Sequence, residues 1–219
     1  MGFTIEELAK LRPFAYHSSG EENFDAILRH RRLRSASAIL NGAGHDDLLS
    51  NRRPSSVTLE VNGETVVIRD NRPLRPASVK LLGGWSLSDW FRELNSRVFL
   101  WPGTEEGPID RGRSHFERYA SEGAVFTIRV PTLSLVAANP GRDLWVTHCN
   151  SASARHHGGK PVPRGPSTFQ PTHAAGFRPS QVVELSYIAE AELPPDAQWS
   201  KSLSGPWAAM GVNSSQERT

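Results

Sequence analysis

The sequence predicts one α+β domain, on three observations. Its 219 residues are 37% hydrophobic and include six Trp and nine Phe, enough to build one core. Segments that alternate apolar and polar residues are interleaved with segments whose apolar residues recur at helical spacing. A two-residue Asn62-Gly63 turn joins SVTLEV to ETVVIRD, the clearest hairpin signal in the chain. The expected domain covers residues 1–210, and GVNSSQERT at 211–219 reads as a disordered tail.

The elements follow in order. Ile5, Leu8 and Leu11 of IEELAKL share one helical face, and Pro13 ends that helix. FAYH is a short strand. Ser19 and Glu22 have the spacing of a capping box, so a helix is expected to start there, with Phe24, Ile27 and Leu28 on its buried face and the run RHRRLR at its C-terminal end. Residues 34–54 read as one or two short helices broken at NGAG, before the hairpin. Ser86 and Asp89 form a second capping box, Trp85 and Trp90 its hydrophobic staple, and Leu87, Trp90, Phe91 and Leu94 a helical stripe. The strand SRVFLW comes next, then a helix near 112–121 and the strand AVFTIRV. Pro131 is expected to stop that strand before a short turn and a further strand, DLWVTH. From Asn150 to Pro179 the composition turns to Ser, Gly, Pro, His and Arg, a loop long enough to imply function or disorder. QVVELSYI closes the pattern as a strand.

Composition narrows the chemistry. One cysteine, Cys149, excludes an internal disulfide and a thiolate-rich metal site. The histidines at 148, 156, 157 and 173 have no recognised ligand spacing, so no metal is expected. Cys149 lies beside His148, but strand neighbours point to opposite faces, which argues against a thiol nucleophile. GAGHDD lacks the spacing and the preceding strand of a dinucleotide fingerprint. Lys occurs only at positions 10, 80, 160 and 201, so the basic side is nearly all Arg, a bias that suits phosphates and that coding bias explains equally well. A net charge of +2 does not demand a polyanion. No run approaches the roughly 20 apolar residues of a membrane span, and the acidic MGFTIEELAKLRP does not resemble a signal peptide, so a cytoplasmic protein with no membrane partner is expected.

In QVVELSYI, Val183, Leu185 and Tyr187 share one face and Val182, Glu184, Ser186 and Ile188 the other. Glu184 is a lone carboxylate there. Burial of such a group has to be offset by hydrogen bonds or serve a function, whereas an amphipathic strand with Glu184 in water fits the same pattern.

Two segments carry a resemblance. YHSSGEENFDAIL is similar to the beginning of DarT-type DNA ADP-ribosyltransferases, in which a short strand delivers a His, a small hydroxyl residue lies two positions on, and an Asn with an apolar residue opens the next helix. FRPSQVVELSYIAEAELPPD resembles the ending of the same family, where the catalytic Glu stands in a strand that leads to a Pro-containing turn. The middle segments IRDNRPL, WSLSDWFRELNSRVFLW and PRGPSTF look like a less characterised DarT-related branch, in the same order. The resemblance implies a split, mainly antiparallel sheet with surrounding helices, and NAD as co-substrate. It makes Glu184 the catalytic carboxylate and sets His17, Ser18, Ser19, Asn23 and Phe24 around the dinucleotide. DarT enzymes carry an Arg just after the strand that corresponds to SRVFLW. Here that place reads PGT, leaving Arg97 or Arg111 to substitute.

The implied reaction releases nicotinamide and moves ADP-ribose to a nucleic-acid base, with single-stranded DNA favoured. Arg155, His156, Lys160 and Arg164, with Phe169 to stack a base, form the expected acceptor grip. A toxin role with an antitoxin or a reversing hydrolase as partner belongs to the same resemblance. A protein acceptor and simple NAD hydrolysis are the alternatives within the enzyme class. A non-catalytic nucleic-acid or nucleotide-binding module is the alternative outside it.

Overall fold

The computed structural model describes residues 2–71, 74, 76–153 and 160–211. Thr4 and Glu7 cap the first helix reciprocally, at 3.2 and 2.8 Å, and α1 (Ile5–Leu11) buries Leu8 completely while Leu11 stays exposed. Then come β1 (Phe14–Gly20), a 3-10 turn at Glu21–Asn23, α2 (Phe24–His30), β2 (Arg32–Arg34) and α3 (Ala36–Gly42). The Ser19–Glu22 capping box does not form. The strand runs on to Gly20, and Ser19 Oγ accepts from the Asn23 side chain at 3.1 Å instead.

The hairpin is β3 (Val57–Val61) and β4 (Glu64–Ile68), with Asn62 and Gly63 at φ of 53° and 79°, as a two-residue turn of this hand requires. After β5 (Val79–Leu81), α4 (Leu87–Asn95) carries the Ser86–Asp89 capping box, and the Trp85 and Trp90 rings stand 6.1 Å apart as its staple. Next are β6 (Arg97–Thr104), β7 (Gly107–Pro108), α5 (Asp110–Ala120) and β8 (Val125–Pro131). The expected turn after Pro131 is a helix, α6 (Thr132–Ala137), whose buried residues are only Thr132 and Leu135. β9 (Trp145–Thr147) follows. The described residues of the Asn150–Pro179 stretch are more ordered than its composition predicts: β10 (Val162–Arg164) pairs in parallel with β5, and β11 (Gln170–Pro171) pairs with β9. The chain ends with β12 (Glu184–Ile188), β13 (Glu190–Glu192), β14 (Gln198–Ser200) and β15 (Ala208–Ala209).

The fold is mixed α and β around a nine-stranded sheet ordered β11-β9-β12-β6-β1-β8-β14-β15, with β7 on β6; every neighbouring pair in it is antiparallel. Leu100, Ile128, Leu185 and Tyr187, all wholly buried, join α1 and α6 residues in the main core. A second cluster seats the hairpin on α3, and a third packs Trp90, Phe91 and Leu94 of α4 against Phe169. Among the described residues no helix is long and apolar enough to cross a membrane.

Candidate active site

β6 serves two neighbours in turn. Arg97–Leu100 pair with β12, and Trp101–Gly103 pair with β1. Beyond Tyr16, β1 keeps its register with β8 through Gly20 but is no longer paired to β6, so the sheet opens along this line. His17 bridges the opening: its ring Nδ1 lies 2.9 Å from the Phe99 carbonyl. A carbonyl only accepts, so Nδ1 carries the proton and Nε2 of the neutral ring is left as an acceptor. Burial holds the His17 pKa below its ordinary value, so the ring is neutral at neutral pH.

The opening leads into a cleft of about 1820 Å³ whose walls include His17 and Glu184. Glu184 is only 3% exposed. The alternation read from the sequence holds from Glu184 on, where Leu185 and Tyr187 enter the main core and Glu184 does not; it fails before the strand begins, since Val182, placed on the Glu184 face, is in that core too. The opposite face of β12 is nevertheless closed over at Glu184 and Ser186, with only Ile188 exposed at the strand end, so Glu184 is buried and not in bulk water. Both of its carboxylate oxygens accept from the Ser151 backbone N–H at 3.1 Å. Burial pushes its pKa up to about 7, against the pull of the Ser151 hydrogen bonds and the charges of Arg164 and Arg111. A carboxyl that exchanges its proton near neutrality can act as a base at working pH.

The other expected site residues divide. Ser18, Ser19 and Asn23 line the cleft, but each has a structural partner. Ser18 Oγ meets Thr127 Oγ1 at 3.0 Å, while Asn23 donates to the Val67 carbonyl at 2.8 Å and accepts from the Val67 N–H at 2.9 Å, docking the hairpin on the cleft rim. Phe24 turns away into the core, 5.0 Å from the Phe126 ring and 4.5 Å from Trp199. Arg97 is spent locally. Its guanidinium donates to Glu93 Oε1, reaches Ser186 Oγ at 3.3 Å and lies over the Phe169 ring at 4.1 Å.

Lys160 is exposed on the cleft wall, while Arg164 is 6% exposed and donates to the carbonyls of Pro163 and Asn150, both at 2.8 Å. That second bond fixes the chain next to Ser151. Phe169, expected to stack a base, is 3% exposed and stacks on Trp90 in the third cluster, so it has no free face to offer. Arg155 and His156 lie outside the described residues. Cys149, half-buried, has its thiol pKa raised by burial and rests on Thr147 Oγ1 at 3.1 Å, an unreactive setting.

The place where the DarT resemblance leads one to expect an Arg has a physical account. A Cβ on Gly103 would stand 2.3 Å from the Gly107 carbonyl oxygen and 2.7 Å from Pro108 Cα, so no side chain fits there. The tight β6–β7 return brings α5 against Trp101 instead, through Gly112, whose added Cβ would lie 2.8 Å from Trp101 Cβ. This close approach puts Arg111 and His115 on the cleft wall. Arg111, the second candidate substitute, is the one whose charge reaches Glu184. His115 escaped the sequence reading. The signal was Gly112 between Arg111 and His115 in a helix starting right after β7, a small residue where the helix approaches another backbone.

Comparison with curated proteins and with solved structures finds no match. A family model does match, and it covers residues 13–192, from just before β1 to the end of β13, enclosing both His17 and Glu184. The chain therefore belongs to the family described as "Family of unknown function (DUF7002)".

Proposed function

We propose that this chain is an NAD-dependent ADP-ribosyltransferase that releases nicotinamide and transfers ADP-ribose to a nucleic-acid base. One observation carries the reading: a buried carboxylate, Glu184, shares the cleft at the sheet opening with His17, a neutral imidazole of fixed tautomer. Breaking the nicotinamide glycosidic bond develops oxocarbenium-like charge on the ribose, as in glycoside cleavage, and a carboxylate shielded from water stabilises it. The bonding pair leaves with nicotinamide. The ribose carbon then bonds to the acceptor nitrogen, whose proton passes to Glu184, a carboxyl with its pKa at about 7. His17 Nε2 accepts a hydrogen bond from the carboxamide of the bound nicotinamide. The cleft, at about 1820 Å³, exceeds the roughly 300–1,000 Å³ of an ordinary small-molecule pocket, which leaves room for an acceptor beside the dinucleotide.

The test incubates the protein and Glu184→Gln with labelled NAD and separate pools of single-stranded DNA, RNA and protein. Label is expected in the DNA pool with the wild type only. Removal of one preorganised polar group lowers the rate about 10²- to 10³-fold. No nicotinamide release in any pool, with the variant indistinguishable from wild type, retires the reading. Label in protein, or nicotinamide released with no labelled pool, reassigns the acceptor to protein or to water.

A further inference from the structure

We infer that the cleft-facing side of α5 is a platform for a single-stranded nucleic-acid backbone, with Arg111 and Arg118 taking successive phosphates; this deepens the proposed reaction by naming where its acceptor lies. Asp110, Arg111, Ser114, His115 and Arg118 of α5 all line the cleft, at the spacing of one helical face. Among the described residues neither Arg111 nor Arg118 has an ion pair, and Ser114 is exposed and free of hydrogen bonds. Asp110 is the one carboxylate of the stripe and sits in the first turn, where the helix dipole favours it.

The two arginines serve opposite ends. Arg111 acts on Glu184, whereas the Arg118 guanidinium lies over the Tyr119 ring at 4.6 Å, next to Arg69 from the end of the hairpin. Seven residues of helix separate them by about 10 Å. The phosphates of a pyrophosphate share one bridging oxygen, a span much shorter than this backbone separation, which favours an extended strand over a single dinucleotide. Between them the His115 ring stands 5.3 Å from Trp101 and 4.2 Å from Tyr119, and its nitrogens have no protein partner among the described residues. Burial and the neighbouring cations hold His115 at a pKa of about 3, so at neutral pH the ring adds no charge to the stripe and the two arginines carry it. Arg side chains spaced along one face grip the phosphates of a strand with little regard to sequence. Of the expected grip, Phe169 is buried and Arg164 is held by carbonyls, so neither is free to take a base or a phosphate.

The experiment measures binding of a fluorescent single-stranded DNA oligonucleotide across a salt series for the full chain, Arg118→Gln and Ser114→Glu, with NAD binding and melting temperature measured in parallel. Ser114→Glu alters no contact of the fold, so it remains informative if Arg118→Gln loosens the Tyr119 packing. Both variants are expected to weaken the oligonucleotide roughly three- to tenfold, and Arg118→Gln to reduce the slope of log K against log salt by about 0.7, the share of one single-strand phosphate contact. NAD binding should stay within twofold. Unchanged oligonucleotide affinity in both variants overturns the proposal. So does a parallel loss of NAD affinity, which assigns the helix to the dinucleotide, or equal competition by a poly-glutamate peptide, which reduces the surface to a general anion site. Nicotinamide release by the same wild-type sample reads the reaction separately. If release is absent but the Arg118 salt dependence is present, the platform stands and the transferase reading falls.

Discussion

Glu184→Gln should stabilise the fold at pH 8 relative to pH 5. Because folding raises the carboxyl pKa from 4.5 to about 7, the folded chain holds its proton where the unfolded chain releases it. The contribution to stability is whole below about pH 4.5, falls as pH rises, and is lost above about pH 7. At roughly 1.36 kcal/mol per pH unit this amounts to about 3 kcal/mol. Gln keeps an acceptor for the Ser151 N–H but has no charge to bury, so it escapes the loss. Any fixed cost of burying its amide is the same at both pH values and cancels when the two are compared. Part of this is already lost at pH 5, which leaves about 2.5 kcal/mol between pH 5 and pH 8; for a chain of this size 1 kcal/mol moves the melting temperature by about 2–4 °C, so the variant should gain about 5–10 °C on the wild type across that range. Urea titrations followed by tryptophan fluorescence at the two pH values give the free energies directly. Wild type and variant running parallel across this range would mean that the carboxyl titrates at its ordinary value in water, and the buried-carboxylate reasoning would be wrong.

Three further outcomes follow from single contacts. His17→Ala removes the group that spans the sheet opening and should abolish measurable NAD binding by calorimetry while the far-ultraviolet spectrum is kept; retained binding removes His17 from the pocket. Glu93→Ala leaves the Arg97 guanidinium, whose side chain is 4% exposed, without its counter-charge, and should cost about 2–3 kcal/mol in urea, discounted because Glu93 itself is 25% exposed. A cost below about 0.5 kcal/mol, the level of a surface pair, would show that Arg97 has other means of satisfaction. Asn23→Ala cuts both bonds to Val67 and should cost about 2 kcal/mol, with faster hydrogen exchange at the Val67 amide than at β8 amides; equal exchange in both would uncouple the hairpin from the site.

What was legible in the sequence is what local chemistry decides. The Asn62-Gly63 turn demands positive φ at both residues, and the Ser86–Asp89 box with its tryptophan staple satisfies its own helix end, so both appear where the residues put them. The capping box at Ser19 has the same spacing and fails, because β8 carries β1 to Gly20 and a ladder outweighs one cap. α6 is six residues long with no side-chain cap, and β14 and β10 are three-residue strands held by their neighbours, so their existence is settled by distant segments and leaves little local pattern. Of the site, the face occupied by Glu184 was readable from alternation. Its burial was not, since that depends on Ser151 and the segment behind it folding over β12. Phe24 and Phe169 were read as ligand contacts because an aromatic in a candidate motif and an aromatic in a core are the same letter; only packing separates them.

The site sits where it does because β6 changes partners midway. With β12 held along Arg97–Leu100 and β1 along Trp101–Gly103, the strand leaves the second half of β1 without a partner on that side, and a gap in a buried sheet exposes backbone groups that need satisfying. One of them is the Phe99 carbonyl, and the imidazole of His17 meets it. The same bond that repairs the sheet thus selects the tautomer that turns a basic nitrogen away from the backbone. The role of His17 in holding the fold and its proposed role in holding nicotinamide are therefore not rivals. They draw on different ring nitrogens, and His17→Asn, which keeps a side-chain donor near Phe99 but no second ring nitrogen, separates them: stability close to wild type with NAD binding lost is the expected result, and loss of both in equal measure would leave His17 a purely structural residue.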